Sequence, residues 1–169
     1  MAVDQIRSNG NNNTLWYDYD YTKIDDNVVQ PNAGDGLAAS ALNSEEDPVW
    51  NDNGVRQQWD MSSLTVASFS SITLWVRAKG SLGTETLDLD VNIGGSWQGA
   101  SQKSLTPSNV YGWYSVTYNG TWTQEQLNGL IVGLTPNNIS AIGATVDVDV
   151  VYCDVTYVPV PPSAAGQIF

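Results

Sequence analysis

The chain has no histidine, one cysteine and only 6 basic residues in 169. The first absence removes the commonest general base, the usual partner of a catalytic serine and the commonest zinc ligand together. A single cysteine, Cys153, cannot form an internal disulfide, and its place in a strand-like segment marks it as a small core residue. With 18 acidic residues against 6 basic ones, the net charge is −12. Such a field repels nucleic-acid phosphate and anionic lipid, so no nucleic-acid partner and no membrane surface is expected. No run of about 18 apolar residues occurs, so no membrane-spanning helix is expected. The opening MAVDQIRSNGNNN lacks the apolar centre of a signal peptide, which gives the expectation of a protein made in a host cytoplasm and not exported by the general route.

Charged residues make up only 14% of the chain, and Asn, Ser, Thr and Gly fill the polar positions. That composition suits strands and turns. The longest β signal is Thr145–Pro159, TVDVDVVYCDVTYVP. Val146, Val148, Val150 and Tyr152 share a face at period two, after which Cys153, Val155 and Tyr157 carry the apolar phase. A slip of one residue exchanges the faces, so the segment is either one strand bulged near Val151–Cys153 or a strand that changes neighbours there. Both readings make it a central strand. Ser71–Lys79 and Thr86–Ile93 alternate cleanly and are expected to pair as a hairpin, with Arg77 and Lys79 opposite Asp88 and Asp90. Further strands are predicted at Thr14–Tyr21, near Val28, at Val55–Trp59, at Trp113–Tyr118 and from Leu130. Thr123 with Gln126 three residues later predicts a capped helical turn ending at Gly129. The fold class is therefore all-β: an antiparallel, jelly-roll-like β-sandwich of about seven or eight strands with one short helical turn. Residues 1–13 read as an N-terminal arm, 14–159 as the sandwich with a long loop region at 23–59, and 160–169 as a Pro-stiffened tail.

The stretch WYSVTYNGTWTQEQLNGLIVGL followed by VDVDVVYCDVTYVP resembles the closing half of a jelly-roll-like sandwich domain of bacteriophage structural proteins and some bacterial surface proteins. The match covers roughly residues 60–159, with a looser one through Asp35–Ala38. The resemblance implies a virion or surface module related in shape to carbohydrate-binding sandwiches.

Carboxylates are the only acid–base groups available. Glu45, Glu46 and Asp47 are consecutive on a predicted loop, where glycoside hydrolysis would need two carboxyls facing across a cleft. A solvated acidic loop is the preferred reading, so no catalytic residue is assigned and the chain is expected not to be an enzyme. Calcium is the one cofactor considered, through Asp25-Asp26-Asn27, Asn51–Gly54 and Asp147 with Asp149. No stretch matches an EF-hand loop, and solvent-facing Asp remains the default, so no metal ligand is assigned. Among seven Trp, those at 16, 75 and 113 share strands with apolar neighbours. Trp97 and Trp122, flanked by turn residues, are the pair expected at the surface. The expected interface residues are Trp97, Trp122, Val160, Pro161, Pro162, Ile168 and Phe169. The function read from this is a virion surface protein, a capsid decoration or cement subunit. Its partners would be the major capsid protein or tail subunits, and it would be a homo-oligomer or present in many copies. The alternative is a carbohydrate-binding module for host glycans, with Trp97 and Trp122 as the stacking rings.

Overall fold

The computed structural model describes residues 2–12, 16, 22, 24, 30, 38–44, 50–105, 110–139 and 141–160. Among these residues eleven strands and one helical turn follow in chain order: β1 (Ala2–Asn11), β2 (Ala39–Ser44), β3 (Trp50–Asn51), β4 (Gln57–Met61), β5 (Ser68–Gly80), β6 (Thr86–Ile93), β7 (Ser96–Trp97), β8 (Ser101–Ser104), β9 (Gly112–Trp122), α1 (Gln124–Asn128), β10 (Ile131–Asn137) and β11 (Thr145–Val158). All pairings are antiparallel. The fold is a jelly-roll-like β-sandwich, with more strands than expected because β2, β3, β7 and β8 are short additions.

The first sheet centres on β11, which pairs with β5 on one side and with β2 and then β1 on the other; β9 lies beyond β5. The second sheet runs β1, β4, β10, β6, with β7 and β8 on the far side of β6. Between the sheets lies one apolar core to which β5 gives Ile72, Leu74, Val76 and Ala78, and β6 gives Leu87, Leu89, Val91 and Ile93. Tyr118 of β9 ties the layers by donating its hydroxyl to the Leu89 carbonyl at 3.0 Å. Burial, and after it the Asp90 charge, holds that phenol well above its usual range.

The central strand combines both sequence alternatives. The register against β5 shifts between Val148 and Val150, and the neighbour on the opposite edge changes from β2 to β1. The bulge therefore falls at Asp149, two residues before the expected place. Val146 and Val148, then Val151, Cys153 and Val155, join the core, while Val150 and Tyr152 are buried on the outer side. Burial raises the Cys153 thiol far above its usual range, as expected of a structural cysteine. The helical turn is capped as predicted, with the Thr123 side chain accepting from the Gln126 backbone and the Gln126 side chain accepting from the Thr123 N–H.

Three expectations are corrected. Residues 2–11 are not an arm: β1 pairs with β11 through Ala2–Arg7, then with β4 from Ser8, and so passes between the sheets. The β5–β6 hairpin does not form, because the link Ser81–Glu85 carries the chain across to the other layer. Glu85, 1% exposed, organises that link by accepting from the Leu82 N–H at 2.9 Å, the Thr84 N–H at 3.0 Å and the Ser81 hydroxyl at 3.0 Å. Consequently Arg77 and Lys79 meet Asp149 and Asp147 instead of Asp88 and Asp90. Val55–Trp59 is confirmed in part as β4. The strands expected at Thr14–Tyr21 and near Val28 lie outside the described residues, apart from a fully buried Trp16.

Candidate functional site

Each sheet turns one face to the core and one outward. On β6 the core side is Leu87, Leu89, Val91 and Ile93, so Thr86, Asp88, Asp90 and Asn92 form the outward row. Opposite them on β10 stand Asn137, Thr135, Gly133 and Ile131. Past Ile93, Gly94 and Gly95 both take positive φ, 60° and 85°, the geometry of a two-residue hairpin turn. The turn brings β7 back so that Trp97 pairs with Asn92. Trp97 is half-buried, not exposed as expected, because its ring lies against Gly133, where an added Cβ would sit 2.6 Å from it. The Arg56 guanidinium carbon stands 4.2 Å from the ring centroid, and Arg56 also reaches the Asp90 carboxylate at 3.4 Å.

Asp90 is satisfied: besides Arg56, its Oδ1 accepts from the N–H groups of Val91 at 2.8 Å and Gly99 at 3.0 Å. Its neighbours are not. Thr86 Oγ1, Asp88 Oδ1 and Asn92 Oδ1 are buried atoms with no hydrogen-bond partner among the described residues. An unsatisfied buried acceptor costs about 1–3 kcal/mol, and three such atoms lie along one strand face. From Thr86 to Asn92 the row runs about 20 Å.

The first sheet's outward face is aromatic too, but closed on itself. Trp75 stacks on Tyr152 with centroids 6.3 Å apart, and Trp113 meets the same ring edge-on at 5.9 Å. Trp75 Nε1 donates to Asp154 at 3.0 Å, Arg77 donates to Asp149, Lys79 lies 3.6 Å from Asp147, and Ser40 donates to Asp147 at 2.7 Å. Tyr152 is 2% exposed, and burial raises its phenol above the ordinary range.

The remaining predicted residues scatter. Trp122 is half-buried at the core margin, stacked on Phe69 with centroids 5.1 Å apart. Val160 is exposed, 51%. Pro161, Pro162, Ile168 and Phe169 lie outside the described residues, as do Glu45-Glu46-Asp47 and Asp25-Asp26-Asn27. Asp52 is buried and accepts from the Leu42 N–H at 2.9 Å, while Asn53 accepts from the Ile139 N–H at 3.0 Å. Among the described residues no three carboxylate or thiol side chains gather as a metal site. Sequence reading found Trp97 but set Asp88 and Asp90 opposite Arg77 and Lys79; alternation gives a face, not what covers it.

No family model matches the chain, and no curated protein matches it. Among solved structures, it is similar to "CBM35 from Cellvibrio japonicus Abf62", with 16% identity over 93% of this chain and 98% of that one, at a TM-score of 0.48. It is also similar to a structure described as "xylan-binding module CBM15", with 12% identity over 94% and 99% and a TM-score of 0.48. A third is "Xyl-CBM35 in complex with glucuronic acid containing disaccharide", with 18% identity over 95% and 99% and a TM-score of 0.47. At these values the likeness concerns the course of the chain and assigns it no ligand.

Proposed function

We propose that the chain is a carbohydrate-binding module that takes an extended, uncharged glycan along the outward face of β6, without turnover. The observation that carries this is the row of unpartnered acceptors, Thr86 Oγ1, Asp88 Oδ1 and Asn92 Oδ1, beside the half-exposed ring of Trp97. Hydroxyls supply the donors that such acceptors require, and the C–H face of a sugar ring suits an indole. The net charge of −12 and the carboxylates of Asp88 and Asp90 disfavour a polyanionic chain. A span of about 20 Å exceeds one sugar ring, so an oligosaccharide fills the row better than a monosaccharide.

Decoration of a virion through free termini, the other expectation, keeps one described anchor, the exposed end at Val158–Val160. The N-terminal segment is committed to both sheets.

The test is a glycan array followed by calorimetry on the best ligand. Trp97→Ala should weaken binding by about 2 kcal/mol, roughly 30-fold in Kd. Trp122→Ala should leave Kd unchanged below its own unfolding temperature, since that ring packs on Phe69. Absence of saturable binding to any neutral glycan would refute the proposal.

A further inference from the structure

Gly133 is a glycine with no conformational reason to be one. It stands inside β10, paired with Gln58 of β4 on one side and Asp90 of β6 on the other, and its φ is not in the left-handed region. Glycine weakens a strand interior, and there it marks a close approach by another group. Here that group is Trp97. The indole starts on β7, opposite Asn92, and ends against Gly133, opposite Asp90, so it crosses β6 obliquely between backbones two strand spacings, about 10 Å, apart. A Cβ at position 133 would sit 2.6 Å from Trp97 Cη2, 2.7 Å from Cζ3 and 3.0 Å from Arg56 Cδ. The hairpin that carries the ring is fixed as well. A Cβ on Gly94 would sit 2.8 Å from Gln126 Cγ, and the Gln98 and Gly99 N–H groups donate to the Val91 carbonyl and to Asp90 Oδ1, each at 3.0 Å. With the Arg56 guanidinium carbon 4.2 Å from its centroid, the ring is held at its base, on one face and at its far edge.

We propose that Gly133 is a positioning residue for the glycan site: it leaves its side-chain space to the indole and so keeps Trp97 laid across β6, beside the acceptors of Thr86, Asp88 and Asn92, before any ligand arrives. The inference rests on the glycan reading above and adds a residue that need not touch the sugar. A ring already held in its binding pose loses little freedom when a sugar stacks on it, which strengthens binding without a new contact.

Gly133→Ala tests this with one methyl group. Alanine suits the backbone at this position, so the urea midpoint should hold, while displacement of the ring should raise Kd for the best neutral glycan by about tenfold. In a Trp97→Ala background the same methyl meets only the Arg56 stem and should change Kd by less than about twofold. A measurement without ligand covers the case in which Gly133→Ala does not fold: by NMR, the Gly133 α-protons should carry a ring-current shift that disappears in Trp97→Ala. An unshifted Gly133, an unchanged Kd in Gly133→Ala, or an equal loss with and without Trp97 would overturn the inference while the glycan reading stands. A chain that shows the ring-current shift but binds no neutral glycan would refute the glycan reading, and the positioning role with it.

Discussion

On the outward face of the first sheet, Trp75, Arg77, Lys79 and Ser40 each find an acceptor in Asp154, Asp149 or Asp147. On the outward face of the second sheet, Thr86, Asp88 and Asn92 each keep an oxygen with none among the described residues. Both faces carry tryptophan, arginine and aspartate, so composition does not separate them. What separates them is completion. A finished network stiffens the sheet beneath it, and an unfinished one holds free energy that a ligand can recover.

The largest effect should come from opening the finished side. Asp149 is fully buried at the bulge of β11, and Arg77 is its ion-pair partner. Arg77→Met removes that ion pair from a buried carboxylate, which should cost about 3–5 kcal/mol in urea unfolding. Glycan affinity of the fraction still folded should be unchanged. A loss of affinity without loss of stability would mean that the binding face had been assigned to the wrong sheet.

A smaller effect is expected at the link that sends β5 and β6 into opposite layers. Burial alone would raise the Glu85 carboxyl, but hydrogen bonds from its own N–H, the Leu82 N–H, the Ser81 hydroxyl and the Thr84 N–H together hold it below its ordinary value. A group whose folded pKa is depressed adds stability that is present above the unfolded value, about 4.3, and lost as pH falls through the folded one. The urea midpoint should therefore drop on acidification below about pH 4.3. Glu85→Gln should flatten that part of the profile and cost about 1–2 kcal/mol at neutral pH.

Several elements were legible because local pattern and tertiary role agree. Alternation marks β6 and β9, and Thr123 with Gln126 marks α1. The phase slip marks β11 as central, though it cannot fix the bulge at Asp149, which depends on the register with β5. β1 was illegible for a physical reason: AVDQIRSNGN has one large apolar side chain in the core, Ile6, and is a strand because it finds neighbours on both sides. The β5–β6 link misled because a five-residue connection suits a hairpin, whereas a buried Glu85 redirects it. Trp97 was visible as a candidate, but its seat on Gly133 was not, since that contact joins residues 36 apart.

The smallest stability change should be the most telling. Asp88→Leu with Asn92→Leu removes two oxygens that have no partner, so no hydrogen bond among the described residues is broken by their loss. Replacing unsatisfied polar groups by apolar ones is near neutral or stabilising, and the doubly substituted chain should unfold within about 1 kcal/mol of the original, on the stable side. Its glycan binding should vanish. The matched change on the other face, Asp154→Leu, strands the Trp75 Nε1–H and should destabilise by about 1–2 kcal/mol while binding persists. Calorimetry and urea unfolding on the two variants thus cross over, one losing affinity without stability and the other stability without affinity. If both lost stability alone, the open acceptors of β6 would be filled by ordered water, and the difference between the two faces would carry no function.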